Sequence, residues 1–320
     1  LHGRGMAKID NAYKDAVAKV HREMDETANR RRLARSSALT ATDTIIESSL
    51  TKLAESWNED VIATRKNLEA LDSSSQETFP AWTSDTVDEW SAATAAPRAV
   101  RIGRIETNAA GLPSGLPMSQ HLRLGGPAVS SAPLALGFPN HGSLLIESNG
   151  NASHANAVLN AVAIRLLSSL PPGRASFLFL DPVGLGHDFA GLMHLADYEE
   201  TLINHRIWTQ TTQIEERLAE VNEHIEKVIQ MYLRNEYATI AEYNEQAGVI
   251  AEKYHFIVIS GFPSGFSETA AKRLLSIATS GARCGVHLLI HRDLRQPSVD
   301  RALDEELRRS CLHVTFDQGV

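Results

Sequence analysis

Cysteine is nearly absent from this chain. Two residues in 320, Cys284 and Cys311, cannot build a disulfide framework, and they suggest a reducing compartment. No apolar run approaches the roughly 20 residues that span a bilayer, and the opening LHGRGMAK lacks a signal-peptide core. A cytoplasmic location and no membrane partner are therefore expected. Basic charge is also short. A net charge of −8 excludes the chain as a whole from the evident nucleic-acid or membrane-surface binders, although a local basic patch stays compatible with it. Glycine is missing from Met6 to Ile102, and proline until Pro80. The remaining composition is that of a globular protein with length for one large domain plus an extra element. The start reads as a fragment boundary, and the end, HVTFDQGV, stops just after a strand-like run. A segment of a longer protein is expected.

The glycine-free stretch is rich in helix formers, so 1–72 is expected to be a helical arm of one long helix or two. Ile46, Leu50, Leu53 and Trp57 step by four, three and four, and Val61, Leu68 and Leu71 continue the seam after a slip. Ile9, Tyr13, Ala16 and Val20 make a weaker one. Such spacing suits a coiled coil or a helical hairpin. Arg30, Arg31, Arg32 and Arg35 form the arm's basic cluster, in a segment whose charges balance, and read as a solvated face. Residues 73–98, with Pro80, Trp82 and Trp90, read as a linker whose tryptophans dock on the next domain.

Residues 99–320 read as an α/β domain. The apolar runs Leu144–Ile146, Ser176–Leu180, Tyr254–Ile259 and Val286–Ile290 alternate with helical patterns, and Leu312–Phe316 adds a further strand. A mostly parallel sheet covered by helices follows. Between Asp181 and Tyr254 a helical excursion carries Ile214, Leu218, Val221, Ile225, Val228 and Tyr232 in heptad-like steps, continued by Ile240 and Tyr243. From Leu195 to His255, acidic residues outnumber Lys and Arg twelve to five, which argues against a DNA-tracking surface there.

The chemistry centres on the stretch from Ser143 to Leu170. A strand enters a small polar loop that opens an apolar helix, in the outline of a P-loop. A P-loop reads G-x-x-x-x-G-K-[ST], because glycines let backbone N–H groups surround a phosphate and the Lys adds charge. The same eight positions here hold Ser148, Asn149, Gly150, Asn151, Ala152, Ser153, His154 and Ala155. Both glycines, the Lys and the hydroxyl residue are replaced. On pattern alone this is an ordinary strand-to-helix turn, with Gly150 at positive φ and Ser153 as N-cap. His154 stands at the Lys position, where an imidazole cannot reach a γ-phosphate as Lys does. The acidic pair that should follow a second apolar strand, holding Mg²⁺ and polarising water, is replaced by Ser260 and Gly261. Asp181 is a strand-end carboxylate that reads as loop-capping. Gly184-Leu185-Gly186-His187-Asp188 reads as a turn. His187, His194 and His205 have no metal-ligand spacing, so neither a metal nor a catalytic residue is assigned.

The order of these features resembles FtsK/SpoIIIE-type DNA translocases. LLIESNGNASHANAVLN resembles their Walker A strand, loop and helix, and SFLFLDPVGLG their next strand with its Asp-Pro. HFIVISGF falls at their Walker B strand, Tyr243-Asn244 matches a Tyr-Asn pair, and GARCGVHLLIHRDLRQPSVD resembles their late segment. The resemblance covers about Gly142 to Asp300. It implies a RecA-like P-loop NTPase core, ring-like homo-oligomers and DNA as substrate of the full motor. The departures at 148, 153, 154 and 155, and at 260 and 261, imply a domain without ATP hydrolysis. Related type VII secretion ATPases include degenerate tandem members that serve regulation or protein binding. The expected role is thus a pseudo-ATPase scaffold, oligomerisation or regulatory module, contacting other domains of the same longer chain and binding no cofactor. One alternative is an active translocase using ATP and Mg²⁺. Another is a partner-binding module, gripping a protein through the emptied pocket or the Ile214–Tyr232 seam.

Overall fold

The computed structural model describes residues 2–80, 88–108, 122, 129–150, 152–234 and 236–316. The chain divides into two compact units, 1–70 with 106–130 and 71–105 with 131–320. Helix α1 is a single element, His2–Thr78, so the hairpin reading is excluded. It passes the expected boundary at 72. The serines at 73–75 supply no breaker, and hydrogen bonds such as Gln76 Nε2 to Asp72 at 2.9 Å and Thr78 Oγ1 to the Ser74 carbonyl at 2.9 Å lie along the turn. Pro80 then disfavours the helical conformation of the residue before it. Along α1, Ile9, Tyr13, Val20, Ile46, Leu53 and Leu71 are exposed.

In the second unit, β3 (Leu144–Ser148), β4 (Ala175–Leu180), β5 (Tyr254–Phe262), β6 (Val286–Asp293) and β7 (Leu312–Phe316) form one parallel sheet. Its order is β4-β5-β6-β3-β7. Counted from β3 as the first strand and read from the β7 edge, that is 5-1-4-3-2, the order of a RecA-like P-loop core with an added strand between the first and third. β1 (Val100–Asn108) and β2 (Val129–Leu136) pair separately.

Burial explains the strand sequences. β3 and β6 are buried at every position and β5 at all but His255, as expected of strands covered on both faces. β7 alternates between half-buried and exposed residues, the pattern of an edge. α2 (Ala152–Ser169) buries Ala155, Leu159, Val162, Ala163 and Leu166. α3 (Thr211–Val228) and α5 (Glu268–Ser280) pack together, and Ser267 caps α5 by accepting the Ala270 N–H at 3.1 Å.

The excursion is not one continuous helix. A π-turn at Ile229–Leu233 ends α3, and α4 (Ile240–Ala247) begins after Thr239, which caps it. Its seam is not a partner surface either. Ile214, Leu218, Ile225 and Val228 are buried in this chain's own core, and Val221 and Tyr232 pack against it. α6 (Arg301–Ser310) completes the layer. Both cysteines are buried, and burial pushes their thiols up to about 11 for Cys284 and about 12 for Cys311. Trp90 donates its indole N–H to the Ser168 carbonyl at 3.2 Å, tying the segment after α1 to α2. Trp82 lies outside the described residues.

Candidate functional site

Most of the buried polar residues gather at the C-terminal ends of β3, β4, β5 and β6, the edge where open α/β sheets bind ligands. Ser148 ends β3 and is 1% exposed. Asn149 and Gly150 are exposed, Gly150 at φ 102, and α2 opens at Ala152. Asn151 lies outside the described residues. Ser153 is therefore within the first turn and not its N-cap, because the helix starts two residues earlier than the sequence pattern suggests. His154 is exposed and sets its ring edge-on against Phe316, with centroids 5.1 Å apart. Ala155 is fully buried.

Asp181 directly follows β4 and has no solvent exposure. It accepts the backbone N–H groups of Gly184 at 2.7 Å, Gly186 at 2.9 Å and Asp188 at 3.2 Å. The turn Gly184–Asp188 thus forms a nest of N–H groups around the protein's own carboxylate. A Cβ on Gly184 would lie 2.7 Å from Asp181 Oδ2 and 2.8 Å from Asp188 Oδ2, so a side chain there would have to displace these carboxylates. Burial pushes the Asp181 carboxyl up, and the neighbouring Asp188 adds to the rise against the three N–H bonds.

The returning loop delivers Asp188 to the centre. Its Oδ2 accepts from Asn156 Nδ2 at 2.6 Å and from Ser260 Oγ at 2.8 Å. Its main-chain carbonyl accepts from Asn160 Nδ2 at 2.8 Å. Asp188 so joins the first turns of α2 to the end of β5. Ser260 and Gly261 lie at a register shift in β5, with Gly261 at φ 66 and too close to Val183 to carry a side chain without displacing it. The Gly261 N–H points at His291 Nδ1, 3.3 Å away, and His291 Nε2 lies 2.9 Å from Ser148 Oγ. With Nδ1 accepting, the proton sits on Nε2 and is donated to the serine. Burial lowers the His291 pKa, against the opposing pull of Asp293 and Asp188, in keeping with a neutral ring.

One connected network therefore runs Ser148–His291–Gly261 and Ser260–Asp188–Asn156. Beside it, Glu147 accepts from Arg308 at 2.9 Å through Nε and lies 2.8 Å from its Nη2, and it faces His313 Nε2 at 2.9 Å. This pins α6 and β7 to β3. Asp293 is held below the usual carboxylate range, first by its side-chain bonds from Arg295.

The structure brings Ser148, Ser260 and Gly261 into this network, places Asp181 at its rim, and leaves His154 outside it. Sequence reasoning missed His291, Asn156 and the central place of Asp188. His291 carried a signal: His287 and His291 are two imidazoles on one face of an otherwise apolar strand, where a polar group needs a partner. Asp188 carried none, because its position depends on how a loop folds back.

No family model and no curated protein matches the chain. Solved structures do. The cytoplasmic domain of the Thermomonospora curvata type VII secretion ATPase EccC shares 18% identity at TM-score 0.47, over 70% of this chain and 24% of that one. ATPases 2 and 3 of EssC from Geobacillus thermodenitrificans share 15% at 0.47, over 68% of this chain and 37% of that one. The pCW3 conjugation coupling protein TcpA shares 14% at 0.42, over 55% and 49%. The chain thus spans less than half the length of each of these proteins.

Proposed function

We propose that this chain is a non-catalytic FtsK/SpoIIIE-like domain, a scaffold, oligomerisation or regulatory module of a larger ATP-dependent DNA translocase-like protein. The observation that carries the reading is the Asp188 carboxylate, hydrogen-bonded to both Asn156 and Ser260. In a working P-loop the junction of the loop, its helix and the third strand holds phosphate oxygens and Mg²⁺. Here it holds an anion that belongs to the chain. A like charge about 4 Å away costs a phosphate oxygen about 4 kcal/mol at an effective dielectric of about 20. No Lys stands in the loop to offset that, and His154 faces Phe316. The residues at these positions do not suit a nucleoside triphosphate with Mg²⁺. The 5-1-4-3-2 strand order and the ordered sequence resemblance support descent from a nucleotide-binding core. DNA contact and homo-oligomer formation would then belong to the full-length protein.

The test is turnover. The purified chain with ATP, Mg²⁺ and duplex DNA is expected to release phosphate no faster than a protein-free blank. Turnover that disappears in His154→Ala would sink the reading.

A further inference from the structure

At the opposite, N-terminal edge of the sheet a second cluster stands apart from the network above. His224 projects from α3, His255 is the second residue of β5, and Glu252 lies just before that strand. One ligand atom from each lies within 4.8 Å of the others, and the two imidazole centroids are 4.4 Å apart. Nε2 of His224 and Nε2 of His255 are both buried without a hydrogen-bond partner. Buried polar nitrogens are nearly always paired, so two adjacent orphans need an explanation. A cavity of about 150 Å³ adjoins them, lined in part by Arg217, Glu220 and Val221.

We propose that His224, His255 and Glu252 bind a divalent transition-metal ion of the zinc class. Two imidazole nitrogens and a carboxylate oxygen are a ligand set zinc accepts, and the cavity leaves a fourth position for water. Ligands around a tetrahedral zinc stand roughly 3.5 Å apart, so a side-chain adjustment of about an ångström closes the site.

The surroundings hold the carboxylate in place. Asn244 receives the Glu252 N–H on Oδ1 at 2.7 Å and donates Nδ2 to the Glu252 carbonyl at 3.0 Å. Arg174 ties down the preceding turn through the carbonyls of Gly248, at 2.7 Å, and Ala251. The Glu252 carboxylate itself accepts the Lys253 N–H on Oε1 at 3.3 Å. Such outer contacts fix the orientation of ligating groups. Arg217 is already paired to Glu220 at 2.6 Å, while Lys227 and Lys253 act on the histidines from the flanks and set the opposing charge.

The experiment is a Zn²⁺ titration of the EDTA-stripped full chain against a chromophoric chelator, repeated with Co²⁺ to read the ligand-field spectrum. One equivalent should bind, with a tetrahedral Co²⁺ absorption, and Mg²⁺ should not compete. His224→Ala should weaken Zn²⁺ binding at least about 100-fold, since loss of an outer-shell partner alone costs 10–100-fold. Should His224→Ala fail to fold, Glu252→Gln serves as the second variant, with a loss of about tenfold or more. His205→Ala, paired with Glu200 elsewhere, should bind as the parent does. No saturable site in the parent chain, or equal affinity in His224→Ala, would overturn the proposal.

Discussion

His287 is fully buried on β6, with neither ring nitrogen hydrogen-bonded, between Phe138 at 5.5 Å and Phe256 at 5.6 Å. Burial holds its pKa down at about 3, and that of His255 likewise. Both lie below their unfolded value near 6.5, so the unfolded chain takes up protons first as pH falls. Stability is then complete above about pH 6.5 and drains away toward pH 3, by up to about 1.4 kcal/mol per pH unit for each histidine. His287→Leu should remove one of these contributions. Urea midpoints measured from pH 4 to 7 should show a shallower pH slope, and at pH 7 a stability higher by about 1 kcal/mol, because an unpaired buried polar ring is gone. An unchanged slope would contradict this account of the ring. At this scale the sequence was legible in part. Ser148 and Ser260, polar residues at the ends of apolar strands, could be read off directly, whereas Asp188 and Asn156 meet only through folding.

Among the elements, the strands were the most legible. Fully apolar runs bounded by turn residues place β3, β4, β5 and β6 within a few residues of their observed ends. β5 and β6 run further than their apolar cores because Ser260, Gly261, His291 and Arg292 are polar yet buried, each with a partner. The seam of α3 was legible as a stripe, but not what it faces. A heptad-like stripe suits a partner helix and a sheet-covering helix equally, and here it faces the chain's own core. Leu218→Asp should therefore act on folding itself. Placing a carboxylate at a fully buried leucine should cost about 4 kcal/mol or more, seen as loss of the cooperative urea transition. Glu223→Ala on the exposed face should stay within about 0.5 kcal/mol of the parent. A folded Leu218→Asp protein of parental stability would mean the seam is free.

For the whole molecule, the sheet order matches the core expected from the ordered resemblance, and α1 is the long arm expected from a glycine-free, helix-forming stretch. No helix among the described residues is long and apolar enough to cross a membrane. What sequence could not convey is that Ser148 and Asn156, on either side of the central loop, belong to one network, because that depends on the ends of β3, β5 and β6, the start of α2 and the segment after β4 converging. The central proposal, that the Asp188 carboxylate between Asn156 and Ser260 keeps this core from holding a nucleotide, is tested most directly by calorimetric titration of ATP with Mg²⁺ into the purified chain. The account predicts no saturable heat up to about 1 mM nucleotide, a binding free energy weaker than about −4 kcal/mol. A one-site isotherm with a micromolar dissociation constant, weakened by His154→Ala, would contradict it.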